Sequence, residues 1–233
     1  MGRARRNRPA PLRAAAALTA VLALAGCAGQ ETPSGTVSGF TEANPDGMHG
    51  AVLTEQYKMP DVTLTATDGQ PYSLTEDTTK PVTLVFFGYT HCPDICQIVM
   101  ADITSALSRL DERDRADVGM LFVTSDPARD DPETLRAYLD RFDPGFEGVT
   151  GDLETIVDVG HELGVPVEKG ARLPSGGHEV AHGTQIVAVD DRDRAPVVWT
   201  EGTPAGDLAE DLTRLLDGAL DGPIPGPTDR SSS

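Results

Sequence analysis

Cysteine is scarce in this chain, with three among 233 residues, too few for a fold stapled by a disulfide framework and few enough that each invites its own explanation. Basic charge is short as well. Nineteen Lys and Arg stand against 37 Asp and Glu, for a net charge of -18. That balance repels a phosphate backbone, so nucleic acid is excluded as a partner, and it gives no polybasic grip on anionic lipid. No long hydrophobic run spans a bilayer comfortably: the apolar stretch from Ala14 to Ala25 is too short. Internal repeats are missing too, which leaves one ordinary core.

What the first residues do contain is a basic stretch with Arg3, Arg5, Arg6, Arg8 and Arg13, then that apolar run, then Leu24-Ala25-Gly26-Cys27. This order reads as a secretory signal over residues 1–26 with small residues at the cleavage point. The Leu-Ala-Gly-Cys ending is similar to a bacterial lipobox, which implies lipid on Cys27 and a protein anchored at the extracytoplasmic face of the cytoplasmic membrane. An ordinary signal peptide with a chance cysteine is the alternative. Removing residues 1–26 takes away five Arg and no acid, leaving 14 basic residues against 37 acidic, a net charge of -23. From Ala28 to Thr54 the chain is rich in Gly, Thr, Ser, Pro and Asn and reads, with Cys27, as a flexible tether over 27–54, whose root-mean-square span would be roughly 30 Å. Residues 222–233, with Pro223, Pro225 and Pro227, read as a disordered tail. One domain is expected between them, over 55–221.

Within that domain Val62–Thr65 and Tyr72–Leu74 alternate around Asp68-Gly69, the pattern of a hairpin. Val82–Phe87 is almost continuously apolar, as a strand covered on both faces must be. Pro93 suits a first helical position, and Ile95, Ile98, Val99, Ile103, Ala106, Leu107 and Leu110 follow at helical spacing to a charged stop at Asp111–Arg115. Val118–Val123 is a second buried strand, making one parallel strand-helix-strand unit. Further helices are expected over 132–142, with Asp130 and Asp131 as caps, over 153–163 and over 204–220. A short strand is expected at 148–150, and an antiparallel pair at 185–189 and 197–199, after a Gly- and Pro-rich loop. The sum is an α/β thioredoxin-like sandwich, a central mixed sheet with an N-terminal hairpin and flanking helices.

The two remaining cysteines sit in Phe86-Phe87-Gly88-Tyr89-Thr90-His91-Cys92-Pro93-Asp94-Ile95-Cys96, where the buried strand gives way to the helix. A helix N-terminus favours thiolates, which serve redox chemistry and soft-metal binding alike. On a regular helix, side chains four apart hold their Cβ atoms about 5–6 Å apart, whereas a disulfide wants about 3.5–4.5 Å. A disulfide between Cys92 and Cys96 therefore needs Cys92 ahead of the helix, and strain would favour the reduced pair. Reactive dithiol, two-sulfur metal site and permanent disulfide all remain open on spacing alone.

The run from Phe86 to Cys96 resembles the Sco/SenC family, thioredoxin-like proteins tethered to membranes. So do Thr124-Ser125-Asp126-Pro127-Ala128-Arg129-Asp130 with Pro132, Leu135 and Tyr138 beyond it, Val149-Thr150-Gly151, and His182 just before the strand at Gln185. The resemblance, over residues 55–218, implies copper binding and help in assembling the dinuclear copper site of cytochrome c oxidase. Its ligand set falls on Cys92, Cys96 and His182. The family pattern has an acidic residue before that histidine, where this chain has Ala181.

Weighed on their own surroundings, His49 falls in the tether, His91 next to Cys92 is placed to tune the thiol, His161 is a surface residue of a helix, and His178 follows Gly176-Gly177 as an auxiliary candidate. His182 stands where a thioredoxin-type oxidoreductase would carry a cis-proline facing its cysteines, which favours metal over pure disulfide exchange. Two thiolates and an imidazole suit Cu(I), and Cu(II) with an added donor, while zinc would also accept them. Met100 is assigned to the core and Asp126–Asp130 to a turn and caps, with Asp126 near enough to the sheet edge to shape the site. Two functions follow, with the oxidase copper-site subunit as partner in both. One is a copper chaperone, supplied by a copper donor protein. The other is a thiol-disulfide oxidoreductase that reduces the cysteines of that copper site, serviced by a thiol reductant. A peroxiredoxin-type peroxidase is disfavoured because Gly88–Cys92 lacks the Pro-Thr-x-x-Cys turn.

Overall fold

The structure is a computed structural model that describes residues 47–172 and 178–220. The leader over 1–26, Cys27, the tether as far as residue 46 and the tail over 222–233 lie outside the described residues. In chain order the elements are β1 (Ala51–Lys58), β2 (Thr63–Ala66), β3 (Pro71–Ser73), β4 (Val82–Gly88), α1 (Ile95–Leu107), α2 (Glu112–Asp117), β5 (Val118–Thr124), α3 (Pro132–Leu139), β6 (Glu147–Thr150), α4 (Leu153–Glu162), β7 (Val167–Arg172), β8 (His178–His182), β9 (Ile186–Asp190), β10 (Arg194–Trp199) and α5 (Ala205–Leu216).

All seven residues of β4 are buried because β4 is an interior strand of an eight-stranded mixed sheet ordered β1-β10-β9-β4-β5-β6-β2-β3. Its residues alternate between two cores. Leu84 and Phe86 point to the face covered by α1, α3 and α5, and Val85 and Phe87 to the face that carries Ile156 and Val159 of α4. Met120 and Phe122 of β5 join the first core, and Leu121 and Val123 the second. The period of two within a run apolar on both faces is what a covered parallel pair requires. β4 and β5 pair in parallel across α1, and β2 and β3 form the expected hairpin, turning at Gly69 with φ +79°.

Several boundaries differ from the sequence reading. α1 begins at Ile95 because Asp94 is its N-cap and accepts the Ile95 N–H at 2.8 Å, which places Pro93 outside the helix rather than at its first position. The charged stop after α1 contains the short helix α2, capped by Asp111. Asp131, not Asp130, caps α3. The helices expected to reach Phe142 and Leu220 end at Leu139 and Leu216. The Gly- and Pro-rich loop contains β7 and β8, which pair with each other as a separate two-stranded ribbon.

The largest difference is at the start. β1 begins at Ala51, and Met48, Val52 and Leu53 are buried, so the folded part begins ahead of the boundary at 55. A buried carboxyl group holds this segment. Asp211 of α5, 0 % exposed, accepts the N–H of His49 at 2.9 Å, the N–H of Gly50 at 2.8 Å and the indole N–H of Trp199 at 2.7 Å. Gly50 must be glycine here, since a Cβ would stand 2.5 Å from Trp199 Nε1. His49, expected in the tether, instead lays its ring 3.6 Å from Asp207 and 3.5 Å from Glu210. Register gives this docking a direction. Ala51 pairs with Val198, Trp199 with Ile186, and Ile186 with Phe86, so the chain enters the sheet at the end where β4 leaves it.

Candidate metal centre

β4 carries the chain to the carboxyl edge of the sheet, where Gly88 lets it pass beneath an aromatic ring. A Cβ on Gly88 would meet the Phe122 ring at 2.9 Å. The backbone then turns, with the Cys92 N–H donating to the Tyr89 carbonyl at 3.2 Å, and α1 starts three residues later. Cys92 therefore stands ahead of the helix and Cys96 in its first turn, the arrangement that closeness of the two sulfurs demands. The Cys96 N–H donates to Cys92 Sγ at 3.3 Å. Both cysteines are free thiols, 4 % and 0 % exposed.

Burial dominates at Cys96 and pushes its thiol well up, with the hydrogen bond from Cys92 adding to the shift, so Cys96 is protonated at neutral pH until something displaces the proton. The Cys96 N–H is turned to the Cys92 sulfur.

His182 reaches the pair from the far side of the chain. It closes β8, opposite Val167 of β7, and the next N–H, that of Gly183, donates to the Pro166 carbonyl at 2.8 Å. Its Nδ1 lies 2.9 Å from the Gly183 carbonyl oxygen, which only accepts, so Nδ1 carries the proton and Nε2 presents its lone pair. That lone pair faces Cys96 Sγ at 3.7 Å. Burial lowers the His182 pKa, against an opposing effect of the Gly183 bond, so the ring is neutral at pH 7. The edges of Tyr89, at 5.7 Å between centroids, and Phe86, at 6.4 Å, fix the ring plane.

A soft metal ion fits this donor set. Bonds of about 2.3 Å to sulfur and about 2.0 Å to nitrogen at a tetrahedral angle span roughly 3.5 Å, close to the separation of Cys96 and His182. Among the described residues no three His, Cys, Asp or Glu side chains are already gathered around one point. Cys96 and His182 already stand at that separation, and the Cys92 sulfur lies beside them, 3.3 Å from the Cys96 N–H.

The other candidates fall elsewhere. Met100 is fully buried in the core, as expected, and His161 is exposed on α4. His91 is 57 % exposed and is held by Thr90, with Nδ1 2.9 Å from its hydroxyl. The side chains of His178 and Ala181 lie outside the described residues. Asp126 is buried and paired with Arg129. Tyr89 lies in the dithiol run, where nothing in its sequence surroundings marks it out. Its ring orients His182, and burial together with the Cys92 and Cys96 sulfurs raises its phenol pKa.

Known proteins share this architecture and sequence. A Stutzerimonas stutzeri protein named a candidate copper-binding protein is 31 % identical over 138 residues, covering 59 % of this chain and 67 % of its own. The mitochondrial protein SCO2 of Saccharomyces cerevisiae is 37 % identical over 100 residues, 39 % of this chain but only 33 % of its own length. The structure of Bradyrhizobium japonicum ScoI with copper bound superimposes with a TM-score of 0.57 at 30 % identity, covering 69 % of this chain and 98 % of that one. The fold is thus that of the Sco thioredoxin-like proteins. The SCO1/SenC family pattern matches residues 52–217. Since that span takes in the dithiol turn, the histidine strand and the sheet that joins them, the chain belongs to the SCO1/SenC family.

Proposed function

We propose that this protein is a copper chaperone that carries Cu(I) on Cys92, Cys96 and His182 and delivers it to the copper-site subunit of cytochrome c oxidase. The observation that carries the reading is the neutral His182 ring, proton on Nδ1 and Nε2 lone pair 3.7 Å from Cys96 Sγ. A ring in that state binds soft metal without first losing a proton. Two thiols beside it favour Cu(I) over harder ions. Family membership supports this choice of acceptor, since the Sco family is described as one of cytochrome c oxidase assembly proteins. Cargo would come from a copper donor protein. Cys92 and Cys96 bind as thiolates and release their protons on loading. Their burial then keeps solvent from the cargo until a partner's ligands exchange with theirs.

The position of Cys92 ahead of α1, with its sulfur 3.3 Å from the Cys96 N–H, also favours a second reading. In that reading the pair reduces the cysteines of the acceptor's copper site and is restored by a thiol reductant. One substitution separates the two. His182→Ala is expected to weaken Cu(I) binding by more than the roughly 10–100-fold that loss of an outer hydrogen-bond partner costs. Disulfide exchange by Cys92 and Cys96 should persist. Wild-type Cu(I) affinity in His182→Ala removes the ligand assignment, and lost exchange with retained copper reverses the roles.

The leader sequence supports a placement for this function. Lipid on Cys27 would hold the protein at the extracytoplasmic face of the membrane, with the folded part joined at the metal-site end of the sheet. Mass spectrometry of the mature N-terminus should find a diacylglyceryl group on Cys27. An unmodified start elsewhere contradicts this placement.

A further inference from the structure

Asp130 is the one acid of the Asp126–Asp131 stretch that its local structure leaves without a task. Asp131 caps α3, and Asp126 pairs with Arg129. Yet Asp130 is 0 % exposed, and burying a carboxyl group is costly unless its oxygens are well used. Oδ2 accepts the Thr90 N–H at 2.9 Å and the Thr124 hydroxyl at 2.7 Å, and Oδ1 accepts the Thr90 hydroxyl at 2.6 Å. Thr124 ends β5, and Thr90 lies two residues before Cys92. The Thr90 proton goes to Asp130, so its oxygen lone pair is free to accept the His91 Nδ1–H at 2.9 Å. Just upstream, the Gly88 carbonyl accepts the Ser125 N–H at 2.7 Å and the Ser125 hydroxyl at 3.2 Å. The turn is therefore fastened to the end of β5 at Gly88 and again at Thr90, through both main chain and side chain.

From this geometry we infer that Asp130 is a positioning residue for the dithiol site: by clamping Thr90 to Thr124 it fixes the turn that presents Cys92 to Cys96 and His182. The inference rests on the copper reading given above for the value of that presentation. A carboxylate accepts from all three donors, whereas an amide keeps one acceptor oxygen and turns its N–H to the Thr90 oxygen, which reverses that hydrogen bond and leaves the Thr90 hydroxyl proton without its acceptor. Freed of the clamp, the turn samples other conformations, and ordering it again on loading subtracts from metal affinity.

Reduced full-length protein and its variants are titrated with Cu(I) against a competing chelator, and the thiolate-to-copper absorption of the Cu(II) complex is recorded. Asp130→Asn and Thr90→Val should each weaken Cu(I) binding by about 10–100-fold, in the range seen for outer hydrogen-bond partners of metal ligands. Both should shift the absorption band. Thr90→Ser, which keeps the hydroxyl, should restore wild-type affinity and band. Asp211→Asn, which disturbs a buried carboxyl group outside the dithiol turn, should lose stability and leave both readouts unchanged. If Asp130→Asn does not fold, Thr90→Val and Thr90→Ser decide. Wild-type affinity and band in the two clamp variants overturn the inference, as does an equal loss in Asp211→Asn or a failure of Thr90→Ser to rescue. His182→Ala tests the copper reading separately. Should that reading fail, the equilibrium of the Cys92–Cys96 pair with glutathione and its disulfide is the readout. It should move in Asp130→Asn and Thr90→Val and return in Thr90→Ser, and a wild-type equilibrium in all three overturns the positioning role.

Discussion

Cys96→Ser should abolish Cu(I) binding and disulfide exchange together while leaving the fold intact. Cys96 supplies the sulfur that the His182 lone pair faces, and a hydroxyl is a hard, weakly acidic donor that Cu(I) does not favour over thiolate. The affinity loss should exceed the roughly 100-fold upper range for an outer hydrogen-bond partner, because a bond to the metal is lost rather than a support for one. Exchange fails as well, since a mixed disulfide on Cys92 then has no internal thiol to resolve it. The fold should lose only about 1–3 kcal/mol, the typical cost of a hydroxyl placed in an apolar site. Thermal unfolding, Cu(I) titration and a thiol-exchange assay on one preparation measure all three, and copper binding at wild-type strength would remove Cys96 from the site.

Asp211→Ala should produce the largest loss of stability without touching the dithiol. It strips the acceptor from the His49, Gly50 and Trp199 N–H groups, and a buried donor left unsatisfied costs about 1–3 kcal/mol. With His49 exposed and free to find water, the total should come to about 3–5 kcal/mol, against the 5–15 kcal/mol that typically holds a domain together. Urea unfolding reads this directly. Proteolysis should also begin to cut near Gly47–Gly50, because those residues are held chiefly from α5. An unfolding midpoint equal to wild type would show that the segment docks by other means.

How much of this could be read from residues depends on where the signal lies. β4, α1 and β5 were legible because runs such as Val82–Phe87 and the spacing of Val99, Ile103 and Leu107 report burial directly. β1 was not, since Ala-Val-Leu-Thr-Glu-Gln-Tyr-Lys has an irregular register between Val52 and Tyr57, and its docking depends on an aspartate 161 residues beyond Gly50. Val167–Arg172 and His178–His182 carry charges and Gly where alternation would be needed. Cys92 and Cys96 announced themselves by scarcity and spacing. His182 was singled out by its place before a strand and by family resemblance, and only the structure revealed the tautomer that aims Nε2 at Cys96. Asp130 was misread as a cap because the same residue type at the same place serves either task. The Gly88–Thr124 register, which brings β4's exit beside β5's, is what tells the two apart.

Copper(I) coordination in the loaded protein tests the central claim most directly. X-ray absorption at the copper edge of reduced protein carrying one equivalent of Cu(I), with zinc present as competitor, should give a shell of two sulfurs and one imidazole nitrogen that loses its nitrogen in His182→Ala. A shell unchanged by that substitution, or a protein that keeps zinc and rejects Cu(I), would contradict the account.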